Sequence, residues 1–128
     1  MKKLQFEEKE IPINVSNNFV SWFFDGREII VKCNKPISVM AYTNKNRILI
    51  ISENNERIGK LLVFNLDGKL IIELSPPNGF SFSFVAKHTS KQPCVVCGSE
   101  KNEIDGWYDW HFILDEKTNE LIRSTPSY

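Results

Sequence analysis

The sequence predicts an all-β domain of stacked antiparallel sheets. A hairpin-like segment occurs at residues 22–36 and again at 64–77, each with Asp-Gly at its turn, and apolar residues lie on both faces of these hairpins. No stretch shows a sustained helical period. At 128 residues the chain is long enough to bury a hydrophobic core without help from disulfides or a structural metal, so we treat residues 1–128 as one domain.

The first two hairpins align at their turns, Asp25–Gly26 and Asp67–Gly68. Asp-Gly readily takes the positive φ angles of a two-residue type I′ turn, and that turn fixes the pairing of the strands. A third copy at residues 111–126 has a longer turn, for which we predict a four-residue loop, 115–118. An aromatic-aliphatic pair then recurs in all three copies. The predicted pairs are Trp22 with Ile29, Phe64 with Ile71, and Phe112 with Leu121.

Further strands are predicted between the hairpins, at residues 47–52, 80–86 and 94–98, bounded by turn-rich segments at 43–46, 52–60 and 76–79. The N-terminal segment 11–15 alternates apolar and polar residues, and its Pro12 suits an edge strand.

The aspartates of the three copies are 42 and 48 residues apart, and units of this length with about four strands resemble β-propeller blades. The chain has room for only two full units and a shorter N-terminal portion. The resemblance therefore implies an open half β-propeller, and a twisted β-sandwich is the alternative. An open stack leaves two sheet faces uncovered. Residues 11–15 would cap one, and self-association through the other would complete a ring from two chains.

Charge is balanced overall but not locally. Sixteen Lys and Arg offset sixteen Asp and Glu, so no global field favours nucleic acid or a membrane. Residues 99–120 carry seven acids and two lysines, which is also typical of a solvated acidic loop. Acidic residues interrupt the N-terminal segment where a signal peptide needs an apolar run, and no window is apolar enough to span a membrane. We therefore expect a cytoplasmic protein with free thiols.

The sequence gives little support for an enzyme or a cofactor. Cys94 and Cys97 form a lone C-x-x-C on a predicted strand, where residues three apart face opposite sides, so we expect buried thiols, no zinc and no disulfide. His88 and His111 are the only histidines. No G-x-S-x-G elbow or Gly-rich phosphate loop is present.

The segment "EKNEIDGWYDWHF" combines acids with aromatic residues. By alternation, Trp110, Phe112 and Leu114 share one face and are predicted to be core residues. The remaining aromatic and acidic residues have the composition of a protein-binding hot spot, although a Trp lid over the end of the sheet is the alternative. The candidate partner-binding residues are Glu100, Glu103, Asp105, Trp107, Tyr108 and Asp109.

In size, composition and blade-like hairpins such as "FNLDGKLII", the chain resembles the immunity proteins of bacterial polymorphic toxin and contact-dependent growth-inhibition systems. The resemblance implies a non-enzymatic inhibitor that binds a cognate toxin, for example a ribonuclease, and occludes its active site. A propeller-like ligand-binding or scaffolding module and a hydrolase with an unrecognised site are the other hypotheses.

Overall fold

The computed structural model describes residues 11–53, 59–87 and 91–127. The charged N-terminal residues 1–10, most of the predicted turn at 52–60, and His88 lie outside these ranges. The described chain is all-β, as predicted: its strands form three antiparallel sheets, and its one helical element is a short 3-10 turn, Thr43–Lys45. The strands are β1 Ile13–Val15, β2 Phe19–Phe24, β3 Arg27–Lys32, β4 Pro36–Tyr42, β5 Arg47–Glu53, β6 Gly59–Phe64, β7 Leu70–Leu74, β8 Phe80–Lys87, β9 Pro93–Ser99, β10 Asp109–Asp115 and β11 Glu120–Pro126.

Each sheet is a meander in chain order. The first sheet is β1-β2-β3, the second β4-β5-β6-β7 and the third β8-β9-β10-β11. The strands predicted at 47–52, 80–86 and 94–98 are confirmed as β5, β8 and β9. Strand β4 is not among the predicted strands. Proline is tolerated as the first residue of a strand, and Pro36 begins β4. Among the described residues, no helix is long and apolar enough to span a membrane.

The second sheet lies between the other two and is buried on both faces. In β5, Ile48 and Ile50 pack in one cluster with the first sheet, whereas Leu49 and Ile51 pack in another with the third sheet. The prediction of apolar residues on both faces is therefore confirmed for the second sheet. The first cluster is centred on Val20, Trp22, Ile29, Val31, Ile48, Ile50, Phe64 and Leu66. The second is centred on Tyr42, Leu49, Ile51, Leu61, Val63, Val85, Val95, Cys97, Trp110, Phe112 and Leu114.

The first hairpin forms as predicted. Asp25 and Gly26 have φ angles of 54° and 75°, as a type I′ turn requires, and Phe24 pairs with Arg27 across them. Trp22 consequently lies opposite Ile29.

The predicted register of the second hairpin is confirmed away from the turn, where Val63 pairs with Ile72, but a β-bulge next to the turn shifts Phe64, which pairs with Leu70 rather than Ile71. The turn is a three-residue loop in which Gly68 N–H donates to Asn65 O at 3.0 Å, and only Gly68 among the loop residues has a positive φ, +92°. The longer loop turns Leu66 into the first cluster, where it is 7% exposed. Burial of Leu66 favours this loop over the tighter turn.

The predicted register of the third hairpin is also wrong, since Phe112 pairs with Arg123 and Leu121 pairs with Leu114. The loop is 116–119, one residue later than predicted. Asn119 closes it with a φ of 58° and donates its N–H to Asp115 O at 2.7 Å. Asparagine tolerates this left-handed conformation better than most residues do, which explains the position of the loop.

Strand β1 is an edge strand, as predicted, but it does not cap a sheet face. It pairs with β2, with Ile13 opposite Trp22, and so extends the first sheet within its own plane. The outer faces of the first and third sheets retain exposed apolar side chains. On the first sheet these include Phe23 and Ile30, and on the third Phe84 and Ile122.

Hydrogen bonds connect the second and third sheets where β4 approaches β8. The buried Tyr42 hydroxyl hydrogen-bonds to the Ala86 carbonyl and lies 3.1 Å from the Cys94 carbonyl, and Ser38 Oγ accepts the Val85 N–H at 2.9 Å. The two first strands of neighbouring sheets are thereby joined.

We expect Tyr42→Phe to lower the free energy of unfolding by about 1–3 kcal/mol, because it leaves buried carbonyls without their hydroxyl partner. Urea unfolding measures the change. Tyr108→Phe is the matched control, since this side chain is 51% exposed, and its loss should be within about 0.5 kcal/mol. Equal effects of the two substitutions would contradict the inter-sheet role of Tyr42.

Candidate partner-binding site

The loop between β9 and β10, residues 100–108, contains five of the six candidate residues, and the sixth, Asp109, begins β10. Ile104 and Trp107 form an isolated bridge with two hydrogen bonds, of 2.8 and 3.0 Å. Asp105 and Gly106 between them have φ angles of 52° and 86°, so this is a second type I′ turn on Asp-Gly. Asp105–Gly106 is the same residue pair that predicts the turn at 25–26.

Several contacts hold this acidic loop on the third sheet. Ile104 is half-buried and packs against the second cluster. Trp110 Nε1 donates to the Trp107 carbonyl at 3.1 Å, Ser99 Oγ donates to the Asn102 carbonyl at 2.7 Å, and the Glu100 N–H donates to the Gly79 carbonyl at 2.9 Å. The loop is therefore fixed along its length, and its side chains project from a defined backbone.

The six candidate side chains are exposed. Trp107 is 39% and Tyr108 51% exposed, and the four carboxylate residues are also exposed. Trp110 next to them is only 6% exposed, and the prediction that Trp110, Phe112 and Leu114 are core residues is confirmed. Two neighbouring tryptophans thus have different environments, one in the core and one partly in solvent.

The carboxylates of the loop form no ion pair with any residue that the structure describes. Within the described ranges, the recorded ion pair joins Arg47 and Glu116 at 2.8 Å, outside the acidic loop. Glu100, Glu103, Asp105 and Asp109 are not part of it. A partner with Lys or Arg side chains could therefore supply the opposite charge.

The C-x-x-C thiols lie on opposite faces of β9, as predicted. Cys97 pairs with Trp110 on the inner face, whereas Cys94 pairs with Ile113 on the outer face, and both are fully buried. Burial raises the pKa of each thiol from about 9 to about 12. His111 lies across from Val96, and no group of three or more metal-ligating side chains occurs among the described residues.

We expect one of the three thiols to react readily with a thiol reagent in the native protein at pH 8. Burial raises the pKa of all three thiols, but Cys33 is partly exposed and a reagent can reach it, whereas Cys94 and Cys97 are fully buried and their pKa lies near 12. All three should react after unfolding in guanidinium. Cys33→Ser should abolish the rapid native reaction, and labelling of Cys94 or Cys97 at a comparable rate would contradict their burial.

Comparisons with protein-family models, curated proteins and solved structures find no match to this chain.

Proposed function

We propose that this protein is an immunity protein that binds a toxin domain and occludes its active site with the acidic loop and Asp109. The observation that supports it is the combination of two exposed aromatic side chains, Trp107 and Tyr108, with four exposed carboxylates on a hydrogen-bonded turn. Aromatic anchors contribute most of the binding energy at many interfaces, and a backbone that is already fixed lowers the entropic cost of binding.

The aromatic and acidic side chains would have different tasks. A tryptophan that enters a pocket on the partner excludes water and slows dissociation, whereas carboxylates such as Asp105 and Asp109 accelerate the approach of a basic surface. A ribonuclease fits this pattern, because its phosphate-binding cleft carries positive charge. Occlusion of such a cleft requires no catalytic group on the inhibitor.

The scaffold would be an open half β-propeller. Two four-stranded meanders stack face to face, a three-stranded sheet precedes them, and their first strands, β4 and β8, are adjacent through Tyr42 and Ser38. Propeller blades stack in this way, with the first strand of each blade nearest the axis. A stacked scaffold of this kind keeps the acidic loop at one end of the third sheet.

We expect Trp107→Ala to weaken binding of the toxin domain encoded beside this protein by roughly thirtyfold, mainly through faster dissociation. Surface plasmon resonance on the folded variant measures both rates. Phe84→Ala is the matched control, since Phe84 is an exposed aromatic residue, 47% exposed, on another part of the third sheet. Equal losses in the two variants would place the binding surface elsewhere.

Removal of two carboxylate charges from this surface should slow association rather than speed dissociation. The double variant Asp105→Asn and Asp109→Asn is expected to bind more slowly at low salt, with the difference from wild type shrinking as salt rises. Glu73→Gln, which removes an exposed carboxylate from β7 of the second sheet, serves as the control and should not change the rate. A salt-independent difference would show that the charges do not steer the partner.

A further inference from the structure

The outer edge of the first sheet, strand β3, has no partner strand among the described residues. The two-residue turn makes Phe24 and Arg27 a hydrogen-bonded pair, so every second residue of β3 starting with Arg27 bonds to β2. The backbone N–H and C=O groups of the residues between them point away from the sheet. These residues are Glu28, Ile30 and Lys32.

The side chains of the same three residues lie on the outer face of the sheet, and all are exposed, Ile30 by 57%. Their order is acid, apolar, base, with the charges at equal distances from Ile30. This order is complementary to itself when reversed. An antiparallel copy of β3 centred on Ile30 would place Glu28 opposite Lys32 of the second copy, twice, and Ile30 opposite Ile30.

We propose that β3 pairs with β3 of a second copy of this chain about a two-fold axis at Ile30. The first sheets of the two copies would then form one six-stranded sheet, with the strand order β1-β2-β3-β3-β2-β1. The hydrogen-bonding pattern agrees with the charges, because Glu28, Ile30 and Lys32 are also the residues whose backbone groups face outward. Isologous contacts of this kind are typical of two-fold dimers.

The charges also select the register. Pairing centred on Glu28 would oppose two carboxylates, and pairing centred on Lys32 would oppose two ammonium groups, and like charges directly opposite one another are unfavourable. Charged residues on an edge strand commonly prevent pairing with other strands. Here the opposite charges of Glu28 and Lys32 disfavour the other two registers and favour the one centred on Ile30.

The dimer is independent of the proposed toxin binding. The first sheet packs on one face of the second sheet, whereas the acidic loop belongs to the third sheet, which packs on the opposite face. Pairing through β3 therefore leaves the acidic loop on each copy accessible.

Sedimentation velocity across a concentration series tests the proposal. We expect a reversible dimer in the wild type, and roughly tenfold weaker association in both Glu28→Lys and Lys32→Glu, since each converts two attractive pairs into two repulsive ones. Glu120→Lys, the same reversal on the edge strand β11, should leave association unchanged. Hydrogen exchange of the wild type should show protection of the Ile30 amide that increases with protein concentration.

Two rescue experiments distinguish this pairing from any other dimer. The double variant Glu28→Lys and Lys32→Glu restores the complementary order and should associate like the wild type. An equimolar mixture of the two single variants should form a heterodimer, because a strand with two lysines then faces a strand with two glutamates. A wild type that stays monomeric up to about 1 mM, or a dimer that persists in both single variants, would overturn the proposal.

Discussion

Gly68→Val is expected to lower the free energy of unfolding by about 2–6 kcal/mol, measured by urea unfolding. Gly68 has a φ of +92°, which a β-branched residue adopts only at a cost of about 1–3 kcal/mol. A Cβ at this position would also lie 2.6 Å from Ile29 Cγ2 in the first hairpin. Ile29 belongs to the buried cluster between the first two sheets, so relief requires core side chains to shift, at a further cost of about 1–3 kcal/mol.

Gly26→Val separates these two contributions. Gly26 also has a positive φ, +75°, but a Cβ there would meet no atom within 4 Å. The substitution should therefore cost only the backbone strain, about 1–3 kcal/mol. Equal losses in the two variants would contradict the contact with Ile29, and an unchanged stability of both would contradict the turns themselves.

Trp22→Ala is expected to cost about 3–5 kcal/mol, the range for truncation of a large buried aromatic residue. Trp22 is fully buried between the first and second sheets and makes an edge contact with Phe64, with ring centroids 6.5 Å apart. Its Nε1 donates to the Leu66 carbonyl at 2.7 Å. Truncation leaves both a cavity and a carbonyl without its partner, and calorimetry or urea unfolding measures the loss.

The stability loss of Trp22→Ala is compared with that of two further tryptophan variants. Trp22→Phe retains most of the ring volume but not the N–H group, so its loss should be smaller than that of Trp22→Ala. Trp107→Ala should change stability by less than about 1 kcal/mol, because Trp107 is 39% exposed. A loss as large as that of Trp22→Ala would identify Trp107 as a lid over the core, and the case for a binding role would fall.

The first hairpin could be predicted to the residue because Asp25–Gly26 fixes its turn by local geometry alone. The same two residue types at 67–68 predict the wrong turn and the wrong partner for Phe64, because the burial of Leu66 against the first sheet decides the loop there. In the third hairpin, Asn119 rather than the aspartate supplies the left-handed residue. Where tertiary contacts or another turn-forming residue favour a different loop, the aspartate at the turn does not by itself determine how the strands pair.

Composition predicts the candidate site, and the Asp105–Gly106 pair is sufficient to predict its turn, since the same two residue types form the turn of the first hairpin. What the sequence could not provide is the degree of exposure. Alternation predicts that Trp110 is a core residue, but it leaves open whether Trp107, three residues earlier, is a lid or an exposed side chain, and only the packed structure shows that Trp107 is 39% exposed. The anchoring of the loop by Ile104 likewise depends on that packing.

The central claim is tested most directly by co-expression with the toxin domain that the proposal expects to be encoded beside this protein. The proposal predicts that wild-type protein restores growth of cells that produce the toxin domain, that Phe84→Ala does so equally, and that Trp107→Ala combined with Asp105→Asn and Asp109→Asn does so poorly although it folds. Protection by that folded triple variant at the wild-type level would contradict the proposed surface, and failure of the wild type to protect would contradict the function.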